Sequence, residues 1–325
     1  MVNKTTKARK RPLSSTAKAI TRAQPSVSSK VTQGTISTYH TLIKRRAQLE
    51  RRLASAQAAD FDAIQRALDS VNQDLLRLGG IDAYQKASQL GQSSARGGDS
   101  SKVLIEWLHE AGYGRGSEGS TRKGKGKGKA TDMGQSCGRL SFALPATMMR
   151  RLTTRRMLEI GAVSPSNYAN CSTWIENHPI DVHSQHPHIL QQDFFERPVP
   201  TLDAEHFDVI SCSLVLNFVD DPRQRGRMLS LIRSHLKQSE GSLLFLVLPL
   251  ACVTNSRYLT VPSLKDLMSA VGFDLVNERC REGGKVGYWL WSWKRPGDVV
   301  DLEPWRRRRI ISDGPKRNNF SIVLP

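Results

Sequence analysis

A short segment with one acidic residue and one glycine is the first candidate for a ligand site in this sequence. The run from Met157 to Asn167 reads MLEIGAVSPSN, in which an apolar stretch leads into Glu159, Gly161 and a loop of small residues. This pattern is typical of a buried parallel strand that ends in a tight turn at the carboxyl edge of a sheet. Open α/β sheets bind ligands at that edge, where glycine admits close backbone approach and a helix N-terminus offers free N–H groups. We therefore expect Glu159 and Gly161 to belong to a ligand site.

Two further carboxylates follow at intervals that suit a nucleotide site. Asp181 closes a short run, PID, 20 residues after Gly161. An acid at that spacing binds the ribose hydroxyls in nucleotide-binding α/β folds. Asp193 ends the next predicted strand, where it is placed to meet an adenine amino group. The glycine and the two acids therefore predict a site for a cofactor that contains adenosine.

Charge separates the two main cofactors of this kind. A dinucleotide needs further glycines so that its pyrophosphate can approach the backbone, and Val163, Pro165 and Ser166 occupy those places. Glu159 would repel a phosphate, whereas it suits the cationic amino group of a methionine moiety. The sequence therefore favours S-adenosylmethionine over NAD.

Alternating strands and helices would bring these residues to one edge. Apolar runs predict strands at 157–160, 179–182, 188–192, 207–219, 242–248, 273–278 and 286–294, and helices at 223–237 and, capped by Ser263, 263–270. The last two strands are joined by REGGK, which indicates an antiparallel hairpin. This order predicts an α/β fold with a mostly parallel sheet. The alternating Trp289, Trp291 and Trp293 on the last strand are expected to pack in the core.

Helical spacing dominates the part of the chain that precedes the sheet. A helical pattern begins at Ile36, and a second helix would be capped by Asp60 and ended by Gly79. The apolar residues of this second helix fall on one face: Ile64, Leu68, Val71, Leu75 and Leu78. We therefore expect helices ahead of the sheet.

Several separate motifs resemble one known family. They are LEIGAVSPSNY, IDVHSQHPHILQQDFFERP, FDVISCSLVLNFVDDPRQRGRML and KVGYWLWSWKRP. Together they are similar to motifs of the fungal large-subunit ribosomal RNA adenine-N1 methyltransferases of the nucleolus. The resemblance runs from Gly79, through YQKASQLGQ, to Pro296.

This resemblance implies a class I, Rossmann-like methyltransferase fold with a mostly parallel seven-stranded sheet and an antiparallel terminal hairpin. It implies S-adenosyl-L-methionine as the donor and adenine N1 of 25S rRNA, free or in a pre-ribosomal particle, as the acceptor. By position, Gly161 and Asp181 would be the principal cofactor contacts. Animal relatives look like S-adenosylmethionine sensors, so the alternative is a non-catalytic sensor that acts through protein partners.

Adenine N1 keeps a lone pair in the ring plane, so methyl transfer needs no prior deprotonation. Catalysis would therefore consist mainly of holding the base in line with the methyl group and offsetting the positive charge that grows on the ring. Residues for this task should follow the fourth and fifth strands. Asn217 and Tyr258 are the predicted base contacts.

The net charge of +18 is concentrated in three segments rather than spread evenly. Residues 1–35 hold eight Lys/Arg and no Asp/Glu, while residues 114–135 and 303–317 each hold six against two. Such segments favour a polyanionic partner and a nuclear or nucleolar location. The predicted organisation is a disordered basic tail (1–34), a helical N-terminal region (35–112), a flexible Gly/Lys-rich insertion (113–136), the methyltransferase domain (137–296) and a basic C-terminal tail (297–325).

Other classes of protein are disfavoured. The five cysteines form no C-x-x-C pair, which is typical of reduced thiols in an intracellular protein. No apolar run is long enough to span a bilayer, so no membrane partner is expected. The histidines at 183, 186 and 188 match no common zinc spacing, and we predict no metal site. Nothing in the sequence specifies an oligomeric state.

Overall fold

The structure is a computed structural model that describes residues 28–91, 100–114, 154–295 and 301–325. Its α-helices are α1 (Ser29–Ala54), α2 (Ala58–Leu78), α3 (Gly80–Gly91), α4 (Ser101–Glu110), α5 (Pro222–His235), α6 (Ala251–Thr254) and α7 (Val261–Val271). Its strands are β1 (Arg155–Ile160), β2 (Ile175–Asp181), β3 (Leu190–Gln191), β4 (Val209–Ser213), β5 (Leu243–Pro249), β6 (Phe273–Cys280) and β7 (Val286–Trp293). Among the described helices, none is both long and apolar enough to cross a membrane.

One seven-stranded sheet organises the fold, with the strand order β3-β2-β1-β4-β5-β7-β6. The strands from β3 to β5 pair in parallel, whereas β7 runs antiparallel to both β5 and β6. This is the class I methyltransferase arrangement that the sequence motifs imply, and it confirms the predicted mixed sheet with a terminal hairpin. Parallel order places the carboxyl ends of β1, β2, β3 and β4 at one edge.

Side chains of the sheet alternate between two apolar layers. One layer contains Leu158 and Ile160 together with α5 and α7. Trp289, Trp291 and Trp293 lie in this layer too, which confirms their predicted place in the core. The opposite layer contains residues of β1, β4, β5, β7 and α4: Met157, Val209, Phe245, Leu290, Leu104, Trp107 and Leu108. Helix α4, which lies in the predicted helical N-terminal region, therefore packs directly on the sheet.

The N-terminal helices begin earlier than predicted. Ser28 caps α1, because its Oγ accepts a hydrogen bond from the backbone N of Val31 at 3.2 Å, so residues 29–34 are helical rather than part of a tail. Gln57, not Asp60, is the N-cap residue of α2. Gly79 ends α2 as predicted, with φ +91°. The predicted tail up to residue 27 and the Gly/Lys-rich insertion from residue 115 lie outside the described residues.

Two boundaries within the sheet domain also differ from prediction. The fourth strand ends at Ser213 rather than at 219, because Leu214 adopts φ +57° and turns the chain away from the sheet. Thr260, not Ser263, is the N-cap of α7; Oγ of Ser263 instead accepts a hydrogen bond from the backbone N of Thr260 at 2.7 Å. Both differences depend on local backbone geometry, which the apolar pattern does not specify.

The end of the predicted basic C-terminal tail, residues 320–324, packs on the sheet domain. Phe320 and Ile322 belong to the same apolar layer as α5 and α7. The guanidinium of Arg225, 4% exposed, donates to the carbonyl oxygen of Ser321 at 2.6 Å. The apolar ending SIVLP supplies the side chains that make this packing favourable.

Candidate cofactor and substrate site

Backbone hydrogen bonds join three strand ends at the carboxyl edge. The backbone N of Gly161 donates to the carbonyl oxygen of Ile180 at 2.8 Å, at the end of β2. The backbone N of Gln192 donates to the carbonyl oxygen of Asp181 at 2.9 Å. These bonds bring together the strand ends that carry Gly161, Asp181 and Asp193. Three of the four residues predicted to bind the cofactor therefore share one edge.

Gly161 occupies a position where any side chain would be strained. Its φ is +75°, and an added Cβ would lie 2.4 Å from Cγ2 of Val215. Val215 belongs to the turn that follows β4, directly after Leu214. The glycine thus allows the loop after β1 and the loop after β4 to touch.

The carboxylate of Asp181 lies between the β2 turn and helix α3. Its Oδ1 accepts hydrogen bonds from the backbone N of His183 at 2.8 Å and from Nε2 of Gln85 at 3.4 Å. Burial raises the pKa of the Asp181 carboxyl, and the bond from His183 opposes that rise. Gln85 is 6% exposed, and its Oε1 has no hydrogen-bond partner among the described residues. A buried acceptor of this kind favours a ligand that donates hydrogen bonds.

Glu159 is held by two amide side chains. Nδ2 of Asn167 donates to its Oε1 at 2.6 Å, and Nδ2 of Asn177 donates to its Oε2 at 2.8 Å. The residue is 6% exposed. The carboxylate therefore ties the loop after β1 to strand β2, a structural part that the sequence did not indicate.

Asp193 begins a short 3₁₀ turn, Phe194–Glu196. Its Oδ1 accepts a hydrogen bond from the backbone N of Phe195 at 2.8 Å, which caps the turn. The cap fixes the carboxylate beside the end of β3.

A cleft of about 600 Å³ opens at this edge. Its lining residues come from α3 and from the loops after β1 and β2: Gln89, Val163, Ser164, Pro165, Ser166, Asn167 and His186. Nε2 of Gln89 donates to the carbonyl oxygen of Val163 at 3.1 Å, which fixes α3 over the loop. In the described part of the chain, no three His, Cys, Asp or Glu side chains are grouped as a metal ion would require. Glu159, Gly161, Asp181 and Asp193 are not among these lining residues, although Asn167, which lines the cleft, contacts Glu159.

Asn217 lies in the turn after β4. It is 8% exposed, and its Oδ1 is a buried acceptor without a hydrogen-bond partner in the ranges that the structure describes. The next residue, Phe218, has its ring centroid 3.6 Å from that of His40 and 5.3 Å from that of Tyr84. Helices α1 and α3 therefore cover the turn that carries Asn217.

Burial shifts the pKa values of His40 and Tyr84, the two side chains that contact Phe218. Burial, together with the nearby charge of Lys44, lowers the pKa of His40 to about 4. Burial raises the pKa of Tyr84 to about 12, and the neighbouring Asp181 contributes to that rise. Both side chains are consequently neutral near pH 7.

Tyr258 lies on the segment between α6 and α7. The guanidinium of Arg308 lies 5.6 Å from the ring centroid of Tyr258, and the backbone N of Tyr258 donates to Oγ of Ser256 at 2.9 Å. These contacts place Tyr258 beside the C-terminal segment. Its role as a base contact stays a prediction.

Sequence patterns did not indicate the part played by α1 and α3. Gln85, Tyr84 and His40 reach the carboxyl edge from helices that lie far away along the chain. The one signal for α3 was the run YQKASQLGQ, which contains Gln85 and Gln89 at helical spacing and belongs to the motifs of the resemblance.

Comparisons with known proteins agree with this geometry. A family model described as 25S rRNA (adenine(2142)-N(1))-methyltransferase, Bmt2, matches residues 69–322. The chain is 35% identical over 291 residues to the Schizosaccharomyces pombe 25S rRNA adenine-N(1) methyltransferase, covering 87% of this chain and 88% of the relative. It is 32% identical over 288 residues to the Saccharomyces cerevisiae 25S rRNA (adenine(2142)-N(1))-methyltransferase, covering 88% of this chain and 70% of that relative.

Among solved structures, the chain is similar to the Burkholderia thailandensis 1,6-didemethyltoxoflavin-N1-methyltransferase, with 13% identity and a TM-score of 0.37 over 44% of this chain and 72% of that one. The fold assignment depends on the strand order rather than on this similarity. The family model and the two fungal relatives show that the chain belongs to the 25S rRNA (adenine-N1)-methyltransferase family.

Proposed function

We propose that this protein transfers a methyl group from S-adenosylmethionine to N1 of an adenine in 25S rRNA. The observation that carries the proposal is the meeting of Gly161, Asp181 and Asp193 at the carboxyl edge of a class I sheet, in a chain of this family. The alternative of a non-catalytic sensor has no support in the comparisons, because both relatives are named as methyltransferases.

The residues at the edge fit an adenosine-containing cofactor. The carboxylate of Asp181 would accept hydrogen bonds from the ribose hydroxyls, and the unpartnered Oε1 of Gln85 offers a second acceptor beside it. Asp193 would accept from the adenine amino group, as its strand position predicts. The carboxylate of Glu159, which accepts a hydrogen bond from Asn167, would attract the cationic amino group of the methionine moiety by its negative charge.

Bound S-adenosylmethionine supplies an electrophilic methyl group on a sulfonium. The bond that forms joins adenine N1 to the methyl carbon, and the bond that breaks joins that carbon to sulfur, leaving S-adenosylhomocysteine. Positive charge spreads over the ring toward the exocyclic amino group as N1 is methylated. The buried Oδ1 of Asn217 would accept a hydrogen bond from that amino group, which orients the base and offsets the charge.

The basic segments support an RNA substrate and a nucleolar location. Residues 1–35 carry eight Lys/Arg without an acid, and such segments bind phosphates without reading sequence. We place the protein in the nucleolus, where it would act on the large-subunit rRNA, either free or within a pre-ribosomal particle.

Mapping N1-methyladenine in 25S rRNA tests the proposal. Cells that lack the protein should lose one such modification, and wild-type protein should restore it. Asp181→Ala should fail to restore it, whereas Asp203→Ala, a change at an exposed acid, should succeed. Persistence of every N1-methyladenine in cells without the protein would rule the proposal out.

A further inference from the structure

A second cleft, of about 480 Å³, lies between α1 and the segment that joins β4 to α5. Its lining combines apolar, aromatic and guanidinium side chains: Ile43, Arg46, Ala47, Phe195, Phe218, Val219, Asp220, Gln224 and Arg227. Phe218 follows Asn217 directly in the chain. The cleft therefore begins next to the residue proposed to hold the target adenine.

The charge of this cleft is positive. Arg46 and Arg227 line it, and its acid, Asp220, is already paired with Arg51 at 2.6 Å. The Nε atom of Arg46 is buried and, among the described residues, lacks a hydrogen-bond partner, although it lies 3.5 Å from Oε1 of Glu50. The guanidinium of Arg46 pairs with Glu50, and Nη1 of Arg227 donates to Oε1 of Gln224 at 3.4 Å. Because each guanidinium has five N–H groups, both can still contact an anionic ligand.

Two phenylalanines give the cleft flat apolar surfaces. The guanidinium of Arg227 stands 5.5 Å from the ring centroid of Phe195. The ring of Phe218 is fixed by its contacts with His40 and Tyr84. Proteins bind unstacked nucleotides by combining such aromatic surfaces with cationic groups for the phosphate.

We propose that this cleft binds the nucleotide that neighbours the target adenine in the RNA chain. Its base lies on the surface formed by Phe195 and Phe218, and its phosphate contacts Arg46 and Arg227. Holding the neighbour here keeps the target adenine out of the stack and directed at Asn217. The inference rests on the proposed function, because it takes an RNA adenine as the acceptor.

Binding of a labelled RNA tests the cleft independently of methyl transfer. The probe is an RNA hairpin with the sequence around adenine 2142 of 25S rRNA, the adenine in the description of the family. It is titrated with the full chain, and binding is followed by fluorescence anisotropy. Arg46→Ala/Arg227→Ala should weaken binding about tenfold and lower the slope of log affinity against log salt by about 1 to 2. Affinity for S-adenosylmethionine, measured by calorimetry, should not change.

Two controls make the result specific. Arg66→Ala/Arg77→Ala removes two exposed guanidinium groups from α2, and it should change RNA affinity by about twofold or less. An abasic nucleotide beside the target adenine should weaken binding to the wild type, yet it should weaken binding to Phe195→Leu no further, because both changes remove the same contact.

Each outcome separates this inference from the proposed function. Equal losses in the two double-arginine variants, or additive effects of Phe195→Leu and the abasic nucleotide, would overturn the inference. The inference would also be overturned if Arg46→Ala/Arg227→Ala bound the hairpin normally but lost binding to pre-ribosomal particles. That result would indicate that the cleft binds a protein partner instead. If the wild type binds the hairpin through the cleft but transfers no methyl group, the proposed function fails while the inference holds.

Discussion

Val215 packs so closely on Gly161 that an added Cβ at position 161 would lie 2.4 Å from Cγ2 of Val215. The contact joins the loop predicted to hold the cofactor to the turn that presents Asn217. A disturbance at Gly161 should therefore reach both the donor and the acceptor sides of the site.

Gly161→Ala is expected to lower S-adenosylmethionine affinity at least tenfold and to reduce thermal stability. Alanine at φ +75° costs about 1 to 2 kcal/mol, and the clash with Val215 adds to that cost. Gly283→Ala is the matched control, because Gly283 has φ +67° but nothing within 4 Å of an added Cβ. Adding Val215→Ala to Gly161→Ala should recover part of the affinity. Equal behaviour of the two glycine variants in calorimetry and thermal melts would contradict the importance of the Val215 contact.

Asp181→Asn should separate ligand binding from folding. Hydrogen bonds to a charged acceptor are worth about 1.5 to 3 kcal/mol each, so S-adenosylmethionine affinity should fall about tenfold to a hundredfold. The ligand-free protein should melt at the same temperature or higher, because burial raises the pKa of this carboxyl and makes its charge costly. Calorimetry and thermal melts of the same sample measure both effects. A large drop in the melting temperature would show that Asp181 is structural instead.

Substitution of Asn217 should slow methyl transfer without weakening cofactor binding. Its buried Oδ1 is the proposed acceptor for the adenine amino group, so Asn217→Ala should lower the single-turnover rate of methyl transfer about a hundredfold. Asn217→Asp keeps an acceptor oxygen and should retain more activity than the alanine variant. Single-turnover transfer to 25S rRNA, with calorimetric titration of S-adenosylmethionine as the second readout, checks this order. Equal rates for the two variants would remove the acceptor role.

Much of the cofactor edge could be predicted because its signals are local. Asp181 was found by its spacing from Gly161, and the hairpin of β6 and β7 was found by its turn. Gln85 could not be placed in this way, since it lies 96 residues before Asp181 and reaches it only through tertiary packing. The end of β4 was missed because leucine gives no signal for the positive φ of Leu214. The burial of the C-terminal segment was not predicted either. Its apolar run is short and follows several arginines, a composition that is typical of an exposed tail.

Glu159→Leu should destabilise the protein even when no cofactor is present. The carboxylate accepts hydrogen bonds from Asn167 and Asn177, and its removal leaves two amide donors without an acceptor. The free energy of unfolding should fall by about 2 to 4 kcal/mol. Glu176→Leu, at a residue whose side chain is 54% exposed, should cost about 1 kcal/mol or less. Urea denaturation of both ligand-free variants makes the comparison, and similar losses would contradict a structural part for Glu159.

Acid should weaken the contact between the N-terminal helices and the sheet domain through His40. The pKa of His40 is about 4 in the folded protein, whereas an unfolded histidine takes up a proton near pH 6.5. The unfolded chain therefore binds more protons between these two values, and stability is lost as the pH falls from 6.5 toward 4. Since the imidazole is partly exposed, its share should be about 1 to 2 kcal/mol.

Denaturant unfolding across this pH range measures the slope of stability against pH. His178 and His235 also have pKa values lowered by burial, so part of the slope should persist without His40. His40→Gln should remove only the share of His40, because glutamine does not titrate. The wild type and the variant should therefore differ least in slope above pH 6.5 and most below it. Identical slopes throughout would show that the proton affinity of His40 does not change on folding, and that its packing against Phe218 leaves the imidazole open to water.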